Sequence, residues 1–435
     1  MTFPVRIALL LSLVLLTASP QSANSAELPL LFHTQDASTT TEPSKDASKA
    51  FNPASVVKIA TTLWALERLG SDHRFETTFR AVGPIGPETG HLAGDLLVTG
   101  GGDPDFHAEN VFLVAEALNR AGIREVLGEL RLEGDFWIGW EGGSARRIED
   151  PQARREQMRQ RLLQAFDSRL WTGAEWRAWQ EMSRRRGLPE LPAPSLRIRD
   201  EPMAPRKPSP SQVESIVVHR SNPLRTTLRR FNAYSNNDIE RFEAHLGSPA
   251  KLEIFLADKL EVPREEVSFS TLSGLGKNRL TAQMVVSLLN RLRDVGQEAG
   301  FEPADVLPRA GCDPGTLKNY PALTEGGLAA SVVAKTGTLT TTDAGVSVLA
   351  GIAATAAGDV VFCVAAPRSG GRLRHARAQK ESWLLELIES KGGPASQPCP
   401  PPLPYSDWDA TILYPVEIPA SRGWGEVSTL LTNPS

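Results

Sequence analysis

Between Leu328 and Pro367 the chain carries three apolar runs, LAASVVAKTGTL, VSVLAGIAAT and DVVFCVAAP, separated by the turn-forming stretches TTTDAG and AAGD. Strands punctuated in this way read as an antiparallel meander at the centre of a sheet. A helical period from about Arg372 to Ser390 supplies a cover for one face of that sheet. Helical rhythm also runs through Lys251 to Leu260 and Thr281 to Val295, so the chain is expected to be a mixed α/β (α+β) protein.

At 435 residues the chain can bury a large core and divide into two or three domains. A net charge of -4 gives no reason to expect nucleic acid or an anionic membrane as a partner. The N-terminus reads as an export signal: Arg6, an apolar run from Ile7 to Leu16 too short to span a bilayer, then small residues from Ser22 to Ala26. The expectation is an exported protein, periplasmic or otherwise extracytoplasmic, with membrane association at most peripheral. Cys312, Cys363 and Cys399 are too few and too far apart for a disulfide scaffold. One pair could form in an oxidising compartment, and Cys363, inside VVFCVAA, reads as a small core hydrophobe.

Strand-like LPLLFHT, RFETTFRAV and HLAGDLLVTGGGDPDF precede a helix from Ala108 to Gly122 and a further strand-like run, VLGELRLEGDFWIGW. Gly100 to Gly102 lack the spacing of a phosphate loop and read as a tight turn. From Arg146 to Arg186 eleven arginines alternate with acids, with Trp171, Trp176 and Trp179 interspersed. One or two amphipathic helices with a solvated charged face fit this better than a docking surface for an acidic polymer. A proline-rich connection comes next, and past Gly392 the chain reads as an irregular appendage.

Three short motifs stand out. In FNPASVVKIATTLWALERL, Ser55 sits at a helix start with Lys58 three residues on, so both lie on one face. A buried amine beside a serine can lose its proton and act as its base. By itself the pattern S-x-x-K arises about once or twice by chance in a chain of this size. It recurs at Ser248 and Lys251, where Ser248 before Pro249 reads as an ordinary helix N-cap. Ser235 and Asn237 form S-x-N on a segment whose Ser/Asn content interrupts a helix. Lys335, Thr336, Gly337 and Thr338 end the first apolar run, with a glycine where a bare backbone would let a substrate lie alongside. Each motif alone is a common turn or cap; their order along the chain is the signal. The seven histidines show no ligand spacing, so neither metal nor cofactor is expected, and no serine sits in G-x-S-x-G.

In this order the motifs resemble those of the penicillin-recognising serine acyl-transferases. More narrowly, the chain resembles the D-alanyl-D-alanine carboxypeptidase/endopeptidase family of class C low-molecular-mass penicillin-binding proteins, peptidase family S13. The resemblance rests on NPASVVK, GDLLVTGGGDP, SNPLRTTLRRFNAYSNN, SGLGKNRLTA, AGCDPGTL and AKTGTLT. The 180 residues from Ser55 to Ser235 leave room for the domain-sized insertion usual in that family, and the 100 from Ser235 to Lys335 suit the wider superfamily. The Arg/Trp-rich stretch departs from the longer, β-rich insertion that family members usually carry.

The resemblance implies a beta-lactamase/transpeptidase-like catalytic domain, an antiparallel sheet flanked by helices. The expected division is a signal at 1–26, catalytic segments at 27–88 and 216–392, an inserted domain at 89–215 and a tail at 393–435. It also implies roles. Ser55 attacks the carbonyl between the last two D-alanines of a peptidoglycan stem peptide, with Lys58 as base. Ser235 relays the proton to the leaving amine, Asn237 binds the substrate amide, and Lys335 sets the site's positive potential. Thr336 and Thr338 hold the terminal carboxylate, and the amides of Ser55 and Thr338 receive the oxyanion. Beta-lactams are implied as covalent inhibitors. A serine beta-lactamase with fast deacylation and a catalytically weak peptidoglycan-binding protein are the alternative readings.

Overall fold

The computed structural model describes residues 27–36, 43–86, 88–187, 189, 192–199, 213–403 and 412–413. The expected export signal, most of the proline-rich connection and most of the tail lie outside the described residues.

The three apolar runs form β10 (Val332–Leu339), β11 (Val346–Thr355) and β12 (Gly358–Pro367), and β1 (Leu31–Asp36) pairs with β12. All pairings are antiparallel, in the order β1-β12-β11-β10. The meander is therefore not central as a whole: β11 and β12 are internal, and β10 is an edge strand. Every residue of β11 is buried because both faces of the sheet are covered. Val348, Ala350, Ile352, Val361 and Cys363 point into a core shared with α1 (Val57–Leu69) and α8 (Ala282–Ala299). Their alternates Leu349, Ala353, Phe362 and Val364 meet Leu384, Leu387 and Ile388 of α10 (Leu373–Ser390). A strand buried on two faces has no reason to alternate polar with apolar residues, which is why these runs are continuous.

A second sheet has the order β13-β9-β2-β5-β7. It contains β2 (Glu76–Val82), β5 (Asp95–Gly101), β7 (Leu130–Asp135), β9 (Val213–Arg220) and β13 (Ile412–Leu413). The strands β2 and β9 pair with each other, and β2 also pairs with β5, so this sheet reaches past residues 89 and 215 on both sides. A small third sheet, β3 (Ile85–Gly86), β4 (His91–Leu92), β6 (Glu125–Val126) and β8 (Arg197–Ile198), flanks it.

The parallel pair β5 and β7 is joined through α2 (Ala108–Arg120), since a parallel pairing needs a crossover. The arginine-rich stretch forms α3 (Pro151–Phe166) and α4 (Gly173–Arg185). Their charged residues face outward, while Met158, Leu162 and Phe166 enter the core of the second sheet. Trp171 and Trp179 pack on Phe112 of α2, and the Trp171 Nε1–H donates to Ala165 O at 2.9 Å. Two of the three tryptophans are thus core; only Trp176, at 41% exposure, faces solvent.

The remaining helices are α5 (Leu224–Tyr234), α6 (Glu243–Leu246), α7 (Pro249–Leu260) and α9 (Pro321–Thr324). Ser248 takes the N-cap position of α7 with Pro249 next, but its side chain makes no capping hydrogen bond. Cys312 and Cys399 form a disulfide, and Cys363 is buried as a small hydrophobe in β12.

Candidate active site

Ser55 lies one step earlier than a regular helix start, in a 3-10 turn, Ala54–Val56, that runs into α1. Ala54, just before it, is held at φ +49°, a left-handed conformation that costs a residue with a Cβ on the order of 1–2 kcal/mol. Neighbours enforce it. The Ala54 N–H donates to Asn52 Oδ1 at 3.0 Å, and Asn52 Nδ2 donates to Gly276 O and Asp343 Oδ2. Two glycines press on the turn: a Cβ on Gly274 would lie 2.0 Å from Ala54 O, and one on Gly337 would lie 2.6 Å from Pro53 O. The missing side chain of Gly337 lets β10 close onto the serine turn.

Lys58, one turn along α1, is fully buried. Its Nζ donates to Ser55 Oγ at 3.1 Å, to Asn237 Oδ1 at 2.9 Å and to Ser273 O at 2.7 Å. Burial pulls this amine down to about 7, against an opposing pull from the Glu240 carboxylate. Both protonation states are therefore accessible near neutral pH.

The helix α5 ends at Tyr234, and Ser235 turns the chain at φ +53° before Asn237 opens a 3-10 helix, Asn237–Phe242. Ser235 Oγ accepts from Lys335 Nζ at 2.9 Å, and the same amine donates to Thr336 O at 2.8 Å. Lys335 is fully buried, and burial together with the nearby Lys58 holds its amine well below the usual lysine range. The eight expected residues thus converge, but as two lysine–serine pairs: Lys58 with Ser55 and Asn237, Lys335 with Ser235.

Thr336 and Thr338 project from β10 on the side opposite Gly337, and the Thr336 hydroxyl donates to Thr316 Oγ1 at 2.7 Å. The Ala334 N–H donates outward from the sheet edge to Pro308 O at 3.0 Å. By the two-residue period of a strand, the amides of Thr336 and Thr338 also point away from β11.

A cleft of about 160 Å³ opens over Ser55, Ser235, Thr336 and Thr338. Thr316, Asn319, Tyr320 and Arg377 complete its wall; Thr316 lies in the run AGCDPGTL, and the other three fall outside every motif. Tyr320 is braced by the buried Lys380 amine, which donates to its hydroxyl at 3.0 Å and to Ser347 Oγ at 2.6 Å. Arg377 forms no ion pair with a carboxylate among the described residues and lines the cleft as a cation. A larger groove of about 470 Å³ beside Phe51 and Arg279 contains none of the paired lysines and serines. No group of acids, histidines and cysteines that could hold a metal occurs among the described residues.

Comparison with known proteins places these features among relatives. The family model for the D-Ala-D-Ala carboxypeptidase 3 (S13) family matches residues 32–150 and 196–387, and α3 and α4 both fall in the gap between the two matched stretches. A D-alanyl-D-alanine carboxypeptidase of Actinomadura sp. (strain R39) is 37% identical over 95 residues, which is 22% of this chain and 17% of that relative. A predatory endopeptidase of Bdellovibrio bacteriovorus, Bd0816, solved with immunity protein Bd3460, is 25% identical with a TM-score of 0.75, covering 88% of this chain and 99% of that one. A second Bdellovibrio predatory endopeptidase, Bd3459, solved acylated by penicillin G with the same immunity protein, has 22% identity and a TM-score of 0.71 over 88% of this chain and 98% of that one.

Proposed function

The chain belongs to the D-Ala-D-Ala carboxypeptidase 3 (S13) family, and on that premise we propose that it is a serine-type D-Ala-D-Ala carboxypeptidase acting on peptidoglycan stem peptides, with endopeptidase action on cross-links. The observation that carries this reading is the fully buried Lys58 amine 3.1 Å from Ser55 Oγ at the floor of an open cleft. An amine that can be neutral near pH 7 can accept the serine proton.

The steps derive from the groups present. Ser55 Oγ attacks the carbonyl of the penultimate D-alanine as its proton passes to Lys58. The oxyanion rests between the amides of Ser55 and Thr338, donors fixed before charge develops. Ser235, held by Lys335, relays the proton taken up by Lys58 to the leaving nitrogen. The C–N bond breaks to leave an ester on Ser55 and Lys58 neutral again, ready to take a proton from the incoming water. Asn237 turns its amide to the substrate backbone. The carboxylate of the leaving D-alanine lies against Thr336, Thr338 and Arg377, where the guanidinium supplies the opposite charge. Water then takes the place of the departed amino acid and hydrolyses the ester.

A beta-lactam offers the same amide in a ring, so its leaving group stays tethered in the space water needs. The cleft wall holds no carboxylate among the described residues to activate water around that obstacle. A persistent acyl-enzyme, and not beta-lactamase turnover, is the expected outcome. The Cys312–Cys399 disulfide suits export to an oxidising compartment. No helix among the described residues is long and apolar enough to cross a membrane. The catalytic unit is assigned to the β1-β12-β11-β10 sheet with its helices, and the second and third sheets with α2 to α4 are assigned to the inserted unit.

Labelling with a fluorescent penicillin tests the reading. Wild type takes a lasting label and Ser55→Ala takes none; an unlabelled wild type refutes the assignment, and rapid loss of label reassigns the protein as a beta-lactamase. Release of D-alanine and of monomers from purified peptidoglycan, measured separately, divides carboxypeptidase from endopeptidase action.

A further inference from the structure

We infer that Glu240, clamped between the hydroxyl of Ser273 and the backbone amide of Ser144 from the inserted unit, is a positioning residue that sets the charge state of Lys58. This rests on the assignment of Lys58 as the base for Ser55.

The contacts form a chain through buried atoms. Lys58 Nζ donates to Ser273 O at 2.7 Å, the Ser273 hydroxyl donates to Glu240 Oε1, and Glu240 Oε2 accepts from the Ser144 N–H at 2.7 Å. Lys58 and Ser273 are wholly buried, and Glu240 is 7% exposed. A carboxylate placed one residue behind an amine in so dry a region acts on it with little screening.

The other charges nearby are spoken for. Asp238, two residues before Glu240, accepts from the amides of Glu141, Gly142 and Gly143 at 2.6, 3.1 and 2.6 Å and lies 4.0 Å from Arg241. Glu141 pairs with Arg241 at 3.4 Å. Lys335 on β10 is the other buried amine nearby, and burial together with the neighbouring Lys58 holds it well below the usual lysine range. Glu240 forms no ion pair with Lys or Arg among the described residues, so its charge is left to act on Lys58.

The clamp comes from the insert. Gly142 and Gly143 at φ +88° and +73° aim successive amides toward the 3-10 helix that bears Asp238 and Glu240, an anion-holding nest. A Cβ on Gly143 would lie 2.6 Å from Asn237 Cβ, so this loop also abuts the residue that holds Lys58 Nζ. Four consecutive residues of the inserted unit therefore hold the segment that governs the base.

Glu240→Gln removes the charge and can keep both contacts, its oxygen toward the Ser144 amide and its NH2 toward Ser273 Oγ, which can turn to donate to Thr271 Oγ1. The test is the rate of acylation by fluorescent penicillin against pH, for wild type, Ser55→Ala, Glu240→Gln and Ser273→Ala, with thermal melts as a check of folding. In Glu240→Gln the acid limb moves down by about one pH unit, so that on that limb the variant keeps up to about tenfold more of its own plateau rate than wild type does. The plateau itself falls, since a less basic amine draws the proton less strongly. Ser273→Ala keeps the carbonyl that takes Lys58 and loosens only Glu240; it shows a smaller shift in the same direction and reads the effect if Glu240→Gln fails to fold. A merely structural role lowers the rate at every pH and leaves the limb in place. An unmoved limb in folded variants overturns the inference, whereas an unlabelled wild type overturns the assignment of the active site instead.

Discussion

Arg377 is the residue expected to discriminate a free carboxylate at the substrate's end. It enters the cleft from α10, opposite two neutral threonines. Arg377→Gln is expected to lower kcat/KM on a D-Ala-D-Ala-terminated peptide by roughly 10- to 100-fold, the worth of one charge-assisted contact. On the same peptide ended by an amide, wild type and variant should differ little; an equal loss on both peptides would mean that Arg377 serves the fold alone. Gly337→Ala is expected to cost on the order of 1–3 kcal/mol in stability, because its Cβ must push β10 off the Pro53 carbonyl. Penicillin labelling should slow in step as Thr338 withdraws from Ser55. Ser55, Lys58, Ser235, Asn237 and Lys335 were legible in the sequence because their short spacings fall in a fixed order. Glu240 and Arg377 were not, and Ser273 stood in the run SGLGKNRLTA with nothing to assign it a contact with Glu240. Their contacts span gaps of tens to hundreds of residues, which no short spacing marks.

Among elements, β10 shows best what patterning conveys and what it omits. Its apolar run declared a buried strand, and the face toward α10 was readable from the helical period at 372–390. Its place at the sheet edge was not, because β1 enters from the far end of the chain to close the other side. That edge leaves outward amides where an extended peptide can lie as one more strand. The wall facing it, from Arg309 to Tyr320, is fastened by the Cys312–Cys399 disulfide and by the ion pair of Arg229 with Asp313. Replacing Cys399 with serine is expected to lower the melting temperature, the chain-entropy model setting the loss of stability at up to about 4.6 kcal/mol for a separation of 87 residues. Wild type in reductant should melt like the variant. If it does not, the wall stands without the bond.

At the scale of the whole molecule, a residue far from the cleft is expected to contribute to the acid response. His219 lies fully buried in β9, takes a hydrogen bond from Asn110 Nδ2 at 3.1 Å, and is driven by burial down to about 3. In the unfolded chain an imidazole gains its proton near pH 6.5, so between those values the unfolded state binds a proton that the fold refuses. Stability should be flat above about pH 6.5 on this account and fall as pH drops toward about 3. Thermal melts of His219→Gln should show a shallower fall over the same window; an unchanged slope assigns the acid response to other groups.

The pairing of Leu31 with Ala365 has a consequence in time. The first strand of the nucleophile-bearing half finds its neighbour only when nearly the whole chain has been delivered, and Lys335 with its strand comes almost as late. A growing polypeptide therefore carries Ser55 for most of its synthesis without β10 and Lys335 beside it, and folding dominated by such distant pairings is slow.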